Sequence, residues 1–113
     1  MIKDVANAPG KDYHKKVPNG YDSWIDYWEK KRKRKYGNAD ASFCRRCKNK
    51  PAVDGGHVEC CIEKNDGDWY YCKNEGIFIV PLCEECNNPY NTEHFQVNKD
   101  DLVAVPEETI KNR

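Results

Sequence analysis

The sequence has no hydrophobic run long enough to cross a membrane, and its opening MIKDVAN contains no apolar stretch of the kind that starts a secretory signal. It also has no internal repeat and no low-complexity tract. Hydrophobic residues make up only 38% of its 113 residues, and charged residues make up 34%. We therefore expect a single cytoplasmic domain with no membrane contact, whose small core needs a staple such as a structural metal.

The chain has no net charge because two opposite imbalances cancel. Residues 1–50 contain 14 Lys and Arg against 6 Asp and Glu, a net charge of +8, and residues 51–113 contain 5 against 13, a net charge of −8. The basic half is where a polyanion such as DNA or RNA would bind. The acidic half suits a basic protein partner, so a protein-interaction or regulatory module stays an alternative.

Four of the seven cysteines form two Cys-x-x-Cys pairs, Cys44 with Cys47 and Cys83 with Cys86. Two thiolates separated by two residues can reach one ion from a tight turn, and two such turns supply the four sulfurs that tetrahedral zinc prefers. The odd number of cysteines argues against complete disulfide pairing, and a cytoplasmic protein keeps its thiols reduced. We predict that these four cysteines hold a structural Zn²⁺ ion.

The remaining cysteines, Cys60, Cys61 and Cys72, lie in a predicted hairpin and lack the spacing of a zinc knuckle. One interpretation is that they are buried small hydrophobic residues. The other is a second metal site that uses Cys60 or Cys61 together with Cys72 and His57. Metal analysis separates the two, since the second requires more than one zinc per chain.

The distribution of chain-breaking residues, hydrophobic periodicity and cysteine pairs predicts four segments. Residues 1–20 contain several breakers and no periodicity, which predicts a loose N-terminal segment. Residues 21–37 are predicted to form an amphipathic helix with a basic end, in which Ser23 and Asp26 resemble a capping box and Gly37 ends the helix. Residues 43–105 contain both cysteine pairs and several predicted strands, and residues 106–113 are predicted to be a polar tail.

Within residues 43–105, the alternation of apolar and polar residues over 56–63 predicts a half-exposed strand. Short apolar runs predict further strands at 69–72 and 77–82, and closing strands at 95–97 and 102–105. Between them, Asn88 followed by Pro89 is a start signal for a short helix that would carry Asn91 and His94.

Positive charge is concentrated at the end of the predicted helix and in the first cysteine pair. Clustered Lys and Arg favour contact with a phosphate backbone, although such a run also occurs on a solvated face without a partner. The aromatic stripe of the same helix has the spacing of a buried face, and we predict that it packs rather than stacks on bases. The predicted nucleic-acid-binding residues are Lys30, Lys31, Arg32, Lys33, Arg34, Lys35, Arg45 and Arg46.

Three short motifs stand in order along the chain: CRRC at 44–47, GGHV at 55–58 and VPLCEECN at 80–87. In this order they resemble the HNH, or ββα-metal, endonuclease family, in those members whose hairpin and helix are held by a four-cysteine zinc. The resemblance covers about residues 43–95. It implies a small α+β fold, a zinc-stapled treble clef, preceded in this chain by the N-terminal amphipathic helix.

The resemblance also implies roles for single residues. His57 corresponds to the general base that activates water, and Asn87, with His94 or Asn91, would hold a second divalent ion, Mg²⁺, Mn²⁺ or Ni²⁺, that stabilises charge on the phosphate. The chain departs from the family pattern at Gly56, where an acidic residue is common. It departs again at 77–80, where the orienting Asn of the family is missing.

Two functions therefore follow from the resemblance. One is a metal-dependent endonuclease, and the other is a catalytically inactive zinc module that still binds DNA or RNA. Proteins of this size and type are common in bacteria and their phages, which implies a bacterial or phage-encoded protein acting in the cytoplasm.

Overall fold

The structure is a computed structural model and describes residues 1–8, 17–63, 69–71, 76–88, 91 and 93–106. These residues form one α-helix and six β-strands in a small α+β arrangement, in which every strand pairing is antiparallel. The elements in chain order are β1 (Ile2–Asn7), α1 (Trp24–Tyr36), β2 (Asp54–Glu63), β3 (Trp69–Tyr71), β4 (Ile77–Leu82), β5 (Phe95–Asn98), a 3-10 helix (Lys99–Asp101) and β6 (Val103–Ala104).

The strands form a sheet in the order β5-β1-β2-β4-β6, and β3 pairs with the second half of β2. The two edge strands β5 and β6 are joined by residues 99–102 alone, of which three form the 3-10 helix. A flat sheet would place these edges roughly 19 Å apart, at about 4.8 Å per pair of strands. The connection spans only about 13 Å, because the three residues of the 3-10 helix advance about 2 Å each and the links on either side of it add about 3.5 Å each. The sheet must therefore curl; we call the face that carries Val58 and Val80 the inner face, and the opposite face, against which α1 packs, the outer face.

The inner face carries the larger core and the two cysteine pairs. Alternate residues of the central strands point into it, among them Val58 and Val80, both with no exposed surface. The buried residues of this core are Val5, Cys44, Val58, Cys60, Val80, Leu82, Cys83, Cys86 and Val97. The cysteine pairs thus belong to the core of the curled sheet.

Helix α1 covers the outer face. Its first turn is capped as predicted, since the Ser23 side chain accepts a hydrogen bond from the Asp26 backbone N–H at 3.1 Å. Trp28 is fully buried and packs against Ile77 and Ile79. The helix ends at Gly37, whose φ of 83° places it in the left-handed conformation that glycine tolerates.

The helix lies within the predicted range 21–37, but it is not the first element of the fold. The prediction of a loose segment over residues 1–20 is wrong for residues 2–7, which form β1. This strand pairs with β2 through Val5 and Cys60 and with β5 through Lys3 and Val97. Its order comes from these distant partners, and its mixed polar sequence gives no periodic signal.

The predicted alternation of β2 is present, but the expectation of a half-exposed strand is wrong. Glu59 on the outer face is 2% exposed and Cys61 is 7% exposed, so both faces of β2 are covered around these residues. The predicted helix after Asn88 and the predicted tail 106–113 lie largely outside the described residues. No helix among the described residues is long and apolar enough to cross a membrane.

Candidate metal centre

The turn that contains Cys44 and Cys47, here called the first cysteine turn, is held against the edge of β4. The Arg45 N–H donates to the Pro81 carbonyl at 2.9 Å, and the Lys48 N–H donates back to the Cys44 carbonyl at 3.0 Å. Lys48 has a φ of 62°, so the chain turns here through the left-handed region that a non-glycine residue rarely adopts. This turn points both thiols of the pair toward the end of β4.

The turn that contains Cys83 and Cys86, here called the second cysteine turn, follows directly from β4. The Asn87 N–H donates to the Cys83 carbonyl at 2.9 Å, and the Cys86 N–H lies 3.4 Å from the Cys83 sulfur. Because β4 is a central strand with fully buried Val80 and Leu82, its end is fixed relative to the first turn.

The four sulfurs of Cys44, Cys47, Cys83 and Cys86, here called the cysteine cluster, all lie within 4.8 Å of one another. The sulfurs of Cys47 and Cys83 are 3.9 Å apart. Four sulfurs at about 2.3 Å from a tetrahedral Zn²⁺ ion are about 3.8 Å apart, and two disulfide-bonded sulfurs are about 2.05 Å apart. The cluster therefore has the spacing of a four-thiolate metal site.

The electrostatics of the cluster also favour a cation. Burial opposes ionisation of the Cys44 thiol, but hydrogen bonds from backbone N–H groups of Cys83, Cys47 and Arg46 outweigh it and lower the pKa to about 6. At Cys86, burial comes first and crowding by the other cluster thiols adds to it, raising the pKa to about 12. Four thiolates this close repel one another in a buried site, and a divalent cation removes that repulsion.

One side chain that supports the cluster is not evident from the sequence. Asn7, at the end of β1 and 5% exposed, donates from Nδ2 to the carbonyl oxygens of Cys86, Asn88 and Asn91 at 2.8, 3.2 and 2.9 Å. It therefore ties the second cysteine turn to the sheet. Nothing near it in the sequence marks this role, because its partners are 79 or more residues away.

The structure does not bring the predicted catalytic residues together. His57 lies on the outer face, where its ring meets Trp24 edge to face at 5.0 Å between centroids. Asn87 lies on the inner side, since a Cβ added to the neighbouring Gly56 would be 2.8 Å from its Oδ1. Neighbouring strand residues point to opposite faces, so β2 separates His57 from Asn87. His94 is exposed.

The proposed second metal site is also not formed by the described residues. Within 1–8, 17–63, 69–71, 76–88, 91 and 93–106, the cysteine cluster is the one group of three or more His, Cys, Asp or Glu residues that could hold an ion. Cys60 and Cys61 point to opposite faces of β2, and Cys72 lies outside the described residues.

Three of the eight predicted phosphate-binding residues are used inside the protein. Arg45 is 6% exposed, donates to the carbonyls of Phe43 and Asp40, and pairs with Asp101 at 3.3 Å. Arg32 pairs with the other carboxylate oxygen of Asp101. Arg46, with 13% of its side chain exposed, lies 3.7 Å from Glu93 and over the ring of Phe95. These arginines join α1, the first cysteine turn and the residues around β5.

The other five predicted residues lie along α1, where Lys31 is half-buried and the rest are exposed, and we call them the basic helix face: Lys30, Lys31, Lys33, Arg34 and Lys35. Within the described part of the chain, Lys33, Arg34 and Lys35 are exposed and form no ion pair. Lys30 pairs with Asp26 at 3.1 Å. Beside them, an open groove of about 450 Å³ is lined by Asn19, Gly20, Tyr21, Lys30, Lys33 and Arg34.

Comparisons with protein-family models, with curated proteins and with solved structures found no match to this chain. What the structure defines is therefore a small α+β domain with a four-cysteine site that could hold a metal ion such as Zn²⁺. The HNH resemblance rests on the motifs alone.

Proposed function

We propose that this protein is a zinc-stapled domain that binds the phosphate backbone of DNA or RNA through the basic helix face, without cleaving it. The observation that carries the proposal is that the predicted cations fall into two groups, one used inside the protein and one exposed. Arg32, Arg45 and Arg46 are used for packing, whereas Lys30, Lys33, Arg34 and Lys35 of α1 are exposed.

Zinc is the metal that suits the cysteine cluster best. Four thiolates in a tetrahedral arrangement are the donor set of structural zinc sites, and all four positions are occupied by protein sulfurs. Such a site stabilises the fold and leaves no open position for a substrate. The metal therefore has a structural role in this proposal, and the binding surface lies elsewhere.

The basic helix face has the chemistry of backbone binding. Lys30 and Arg34 are one helical turn apart, and Lys33 lies on the same side of α1, so the three can contact successive phosphates of one strand. Tyr21 lies at the edge of their groove, with Lys30 Nζ 5.6 Å from its ring centroid. Contacts of this kind give affinity without base-sequence specificity.

Cleavage is not part of the proposal because the geometry does not support it. A general base must lie within hydrogen-bond reach of the water it activates, near the ion that stabilises the phosphate. His57 and Asn87 lie on opposite faces of β2, so one phosphate cannot contact both. The resemblance to HNH endonucleases thus supports nucleic acid as the partner and a zinc-finger type of fold, but not the reaction.

The binding proposal is tested by fluorescence anisotropy with labelled DNA and RNA oligonucleotides at several salt concentrations. Five cations would give a slope of log K against log salt of at most about −4.5 on duplex DNA. We expect the double variant Lys33→Gln/Arg34→Gln to make the slope shallower by about 2. The matched control, Lys48→Gln/Lys50→Gln, removes the same charge from the first cysteine turn and should leave the slope unchanged.

Two outcomes would contradict the proposal. One is no binding of any oligonucleotide at low salt, and the other is an equal change of the salt slope in the test and control variants. The absence of cleavage is tested separately with supercoiled plasmid and Mg²⁺, Mn²⁺ or Ni²⁺. Nicking that disappears in His57→Ala would show that the protein is an active nuclease and that the non-catalytic part of the proposal is wrong.

A further inference from the structure

We propose that Asn19 is a site of spontaneous deamidation, and that the carboxylate formed there weakens phosphate binding in the groove beside the basic helix face. Asn19-Gly20 is the single Asn-Gly pair in the 113 residues. Both residues are exposed, and Asn19 lines the groove of about 450 Å³ together with Lys30, Lys33 and Arg34. The effect on binding rests on the proposed function, whereas the modification itself does not.

Deamidation at Asn19 needs water as its one co-reactant. The backbone nitrogen of Gly20 attacks the side-chain amide carbon of Asn19, so that a C–N bond forms and a cyclic imide closes. The attacking nitrogen gives up its proton, and the side-chain amide nitrogen leaves as ammonia. Water then opens the imide at one of its two carbonyls, which gives aspartate or isoaspartate. Both products carry a carboxylate where the parent chain has a neutral amide.

The structure leaves the Gly20 nitrogen accessible for this attack. Gly20 has a φ of 97°, and no atom lies within 4 Å of the position that a Cβ would take. The Tyr21 N–H donates to the Pro18 carbonyl at 3.3 Å, which places Asn19 and Gly20 at the two central positions of a tight turn. This hydrogen bond is longer than usual, so it restrains the turn only weakly. Within the part of the chain that the structure describes, neither the Asn19 side chain nor the Gly20 N–H forms a hydrogen bond.

Other asparagines of the chain are protected by their contacts or by the residue that follows. Asn7 is 5% exposed, and its Nδ2 is held by three carbonyl oxygens at 2.8, 3.2 and 2.9 Å. Asn38 and Asn49 are exposed, but they precede an alanine and a lysine, whose side chains hinder attack by the backbone nitrogen. Reactivity is therefore concentrated at Asn19, where glycine follows and the turn is open.

A carboxylate at position 19 would lie in the same groove as the exposed cations. Lys33 and Arg34 form no ion pair with any residue that the structure describes, and Lys30 already pairs with Asp26 at 3.1 Å. The new negative charge would offset one positive charge of the groove and repel an approaching phosphate. We therefore expect the slope of log K against log salt to become shallower by about 1 after deamidation.

The modification is tested by incubating the zinc-loaded full chain at mildly acidic and mildly alkaline pH and following each asparagine by peptide mapping with mass spectrometry. We expect Asn19 to convert faster than Asn38 and Asn49, and faster at alkaline pH because the attacking nitrogen must lose its proton. Asn19→Gln should not convert on the same timescale, since its longer side chain closes a larger ring. Conversion of Asn19 no faster than that of Asn38 and Asn49 would overturn the proposal.

The effect on binding is measured by fluorescence anisotropy with labelled DNA at several salt concentrations. We expect the incubated parent and the fresh Asn19→Asp variant to show the shallower slope, and incubated Asn19→Gln to keep the slope it had when fresh. The matched control Asn49→Asp adds the same charge to the first cysteine turn and should leave the slope unchanged. In the Lys33→Gln/Arg34→Gln background, Asn19→Asp should change the slope far less, because the cations that its carboxylate offsets are gone.

The two halves of the proposal fail in different ways. An unchanged slope for Asn19→Asp, or an equal change for Asn49→Asp, would overturn the effect on binding. No binding by the fresh parent would overturn the proposed function and the effect on binding together, while the mass measurement still decides whether Asn19 is the modified residue.

Discussion

At Gly55 the start of helix α1 lies directly against the sheet, and adding a single methyl group there should separate the two. A Cβ at Gly55 would lie 2.7 Å from Ile25 N and from Trp24 C, and 2.8 Å from Trp24 Cβ. Ordinary contact begins near 3.4 Å, so the start of the helix would have to move by about 0.7 Å. The opposing atoms are mostly backbone, so no side-chain rotation can relieve the overlap.

We expect Gly55→Ala to lower the free energy of unfolding by about 1–3 kcal/mol, the usual cost of overpacking a closed contact. For a domain of this size that loss lowers Tm by roughly 4–20 °C. The measurement is thermal unfolding of the zinc-loaded protein by circular dichroism. Bound zinc should stay at one ion per chain, because Gly55 faces away from the cysteine cluster.

Gly20→Ala is the matched control. Gly20 has no atom within 4 Å of its added Cβ, and its cost is limited to the strain of its φ of 97°. The substitution should therefore lower the free energy of unfolding by about 1–2 kcal/mol, without displacing α1. The two variants are separated by near-ultraviolet circular dichroism, which should change for Gly55→Ala, where the Trp24 environment is altered, and stay unchanged for Gly20→Ala. A Gly55→Ala protein with the parent Tm and the parent spectrum would refute the close approach of helix and sheet.

Four further predictions concern the metal and the polar contacts that hold the fold. Cys83→Ser, or chelation of the parent, should leave the domain molten because metal binding and folding are coupled, and a sharp NMR spectrum from the variant under chelation would contradict this. Asn7→Ala should weaken Zn²⁺ binding by roughly tenfold, measured by competition with a chromophoric chelator, since it removes the donor that holds the second cysteine turn. Asp101→Asn should cost about 2–4 kcal/mol in chemical denaturation, because two largely buried arginines lose their carboxylate, and exposed Asp100→Asn should cost far less. The pKa of Asp26 is held below its ordinary 3.8, first by a hydrogen bond from the Asp22 N–H and second by a hydrogen bond from Lys30. The contribution of the ionised Asp26 to stability is therefore present above about pH 4 and is lost as the pH falls through the lowered pKa. Asp26→Asn should remove that part of the acid dependence, measured as Tm between pH 2 and pH 6.

The features that the sequence predicted well are those whose cause is local. Ser23 and Asp26 are three residues apart and cap the helix by themselves, and Gly37 ends it through its own backbone freedom. Each cysteine pair likewise forms one turn from adjacent residues. The meeting of the two pairs could be inferred only because a tetrahedral ion requires four ligands.

The features that were missed depend on contacts between distant residues. β1 has two consecutive buried hydrophobic residues, Val5 and Ala6, and becomes a strand because β2 and β5 pair with it on both sides. Arg45 is indistinguishable in sequence from an exposed arginine of a basic patch. Only the position of Asp101, 56 residues later, makes it an internal ion-pair partner. Composition and spacing contain no information on such pairings.

The motif Gly55-Gly56-His57 shows how a resemblance and a structure can give different reasons for the same residues. Gly55 lacks a side chain because the start of α1 lies against it, and a Cβ at Gly56 would lie 2.3 Å from Leu82 Cδ1. His57 packs edge to face on Trp24, where an aromatic partner of this size fits. Each residue is thus accounted for by packing between the helix, the sheet and the second cysteine turn. Conversely, catalysis would require His57 to reach the side of β2 that carries Asn87, and the alternation of a strand does not allow it. The motif therefore supports the architecture of this protein and does not by itself support hydrolysis.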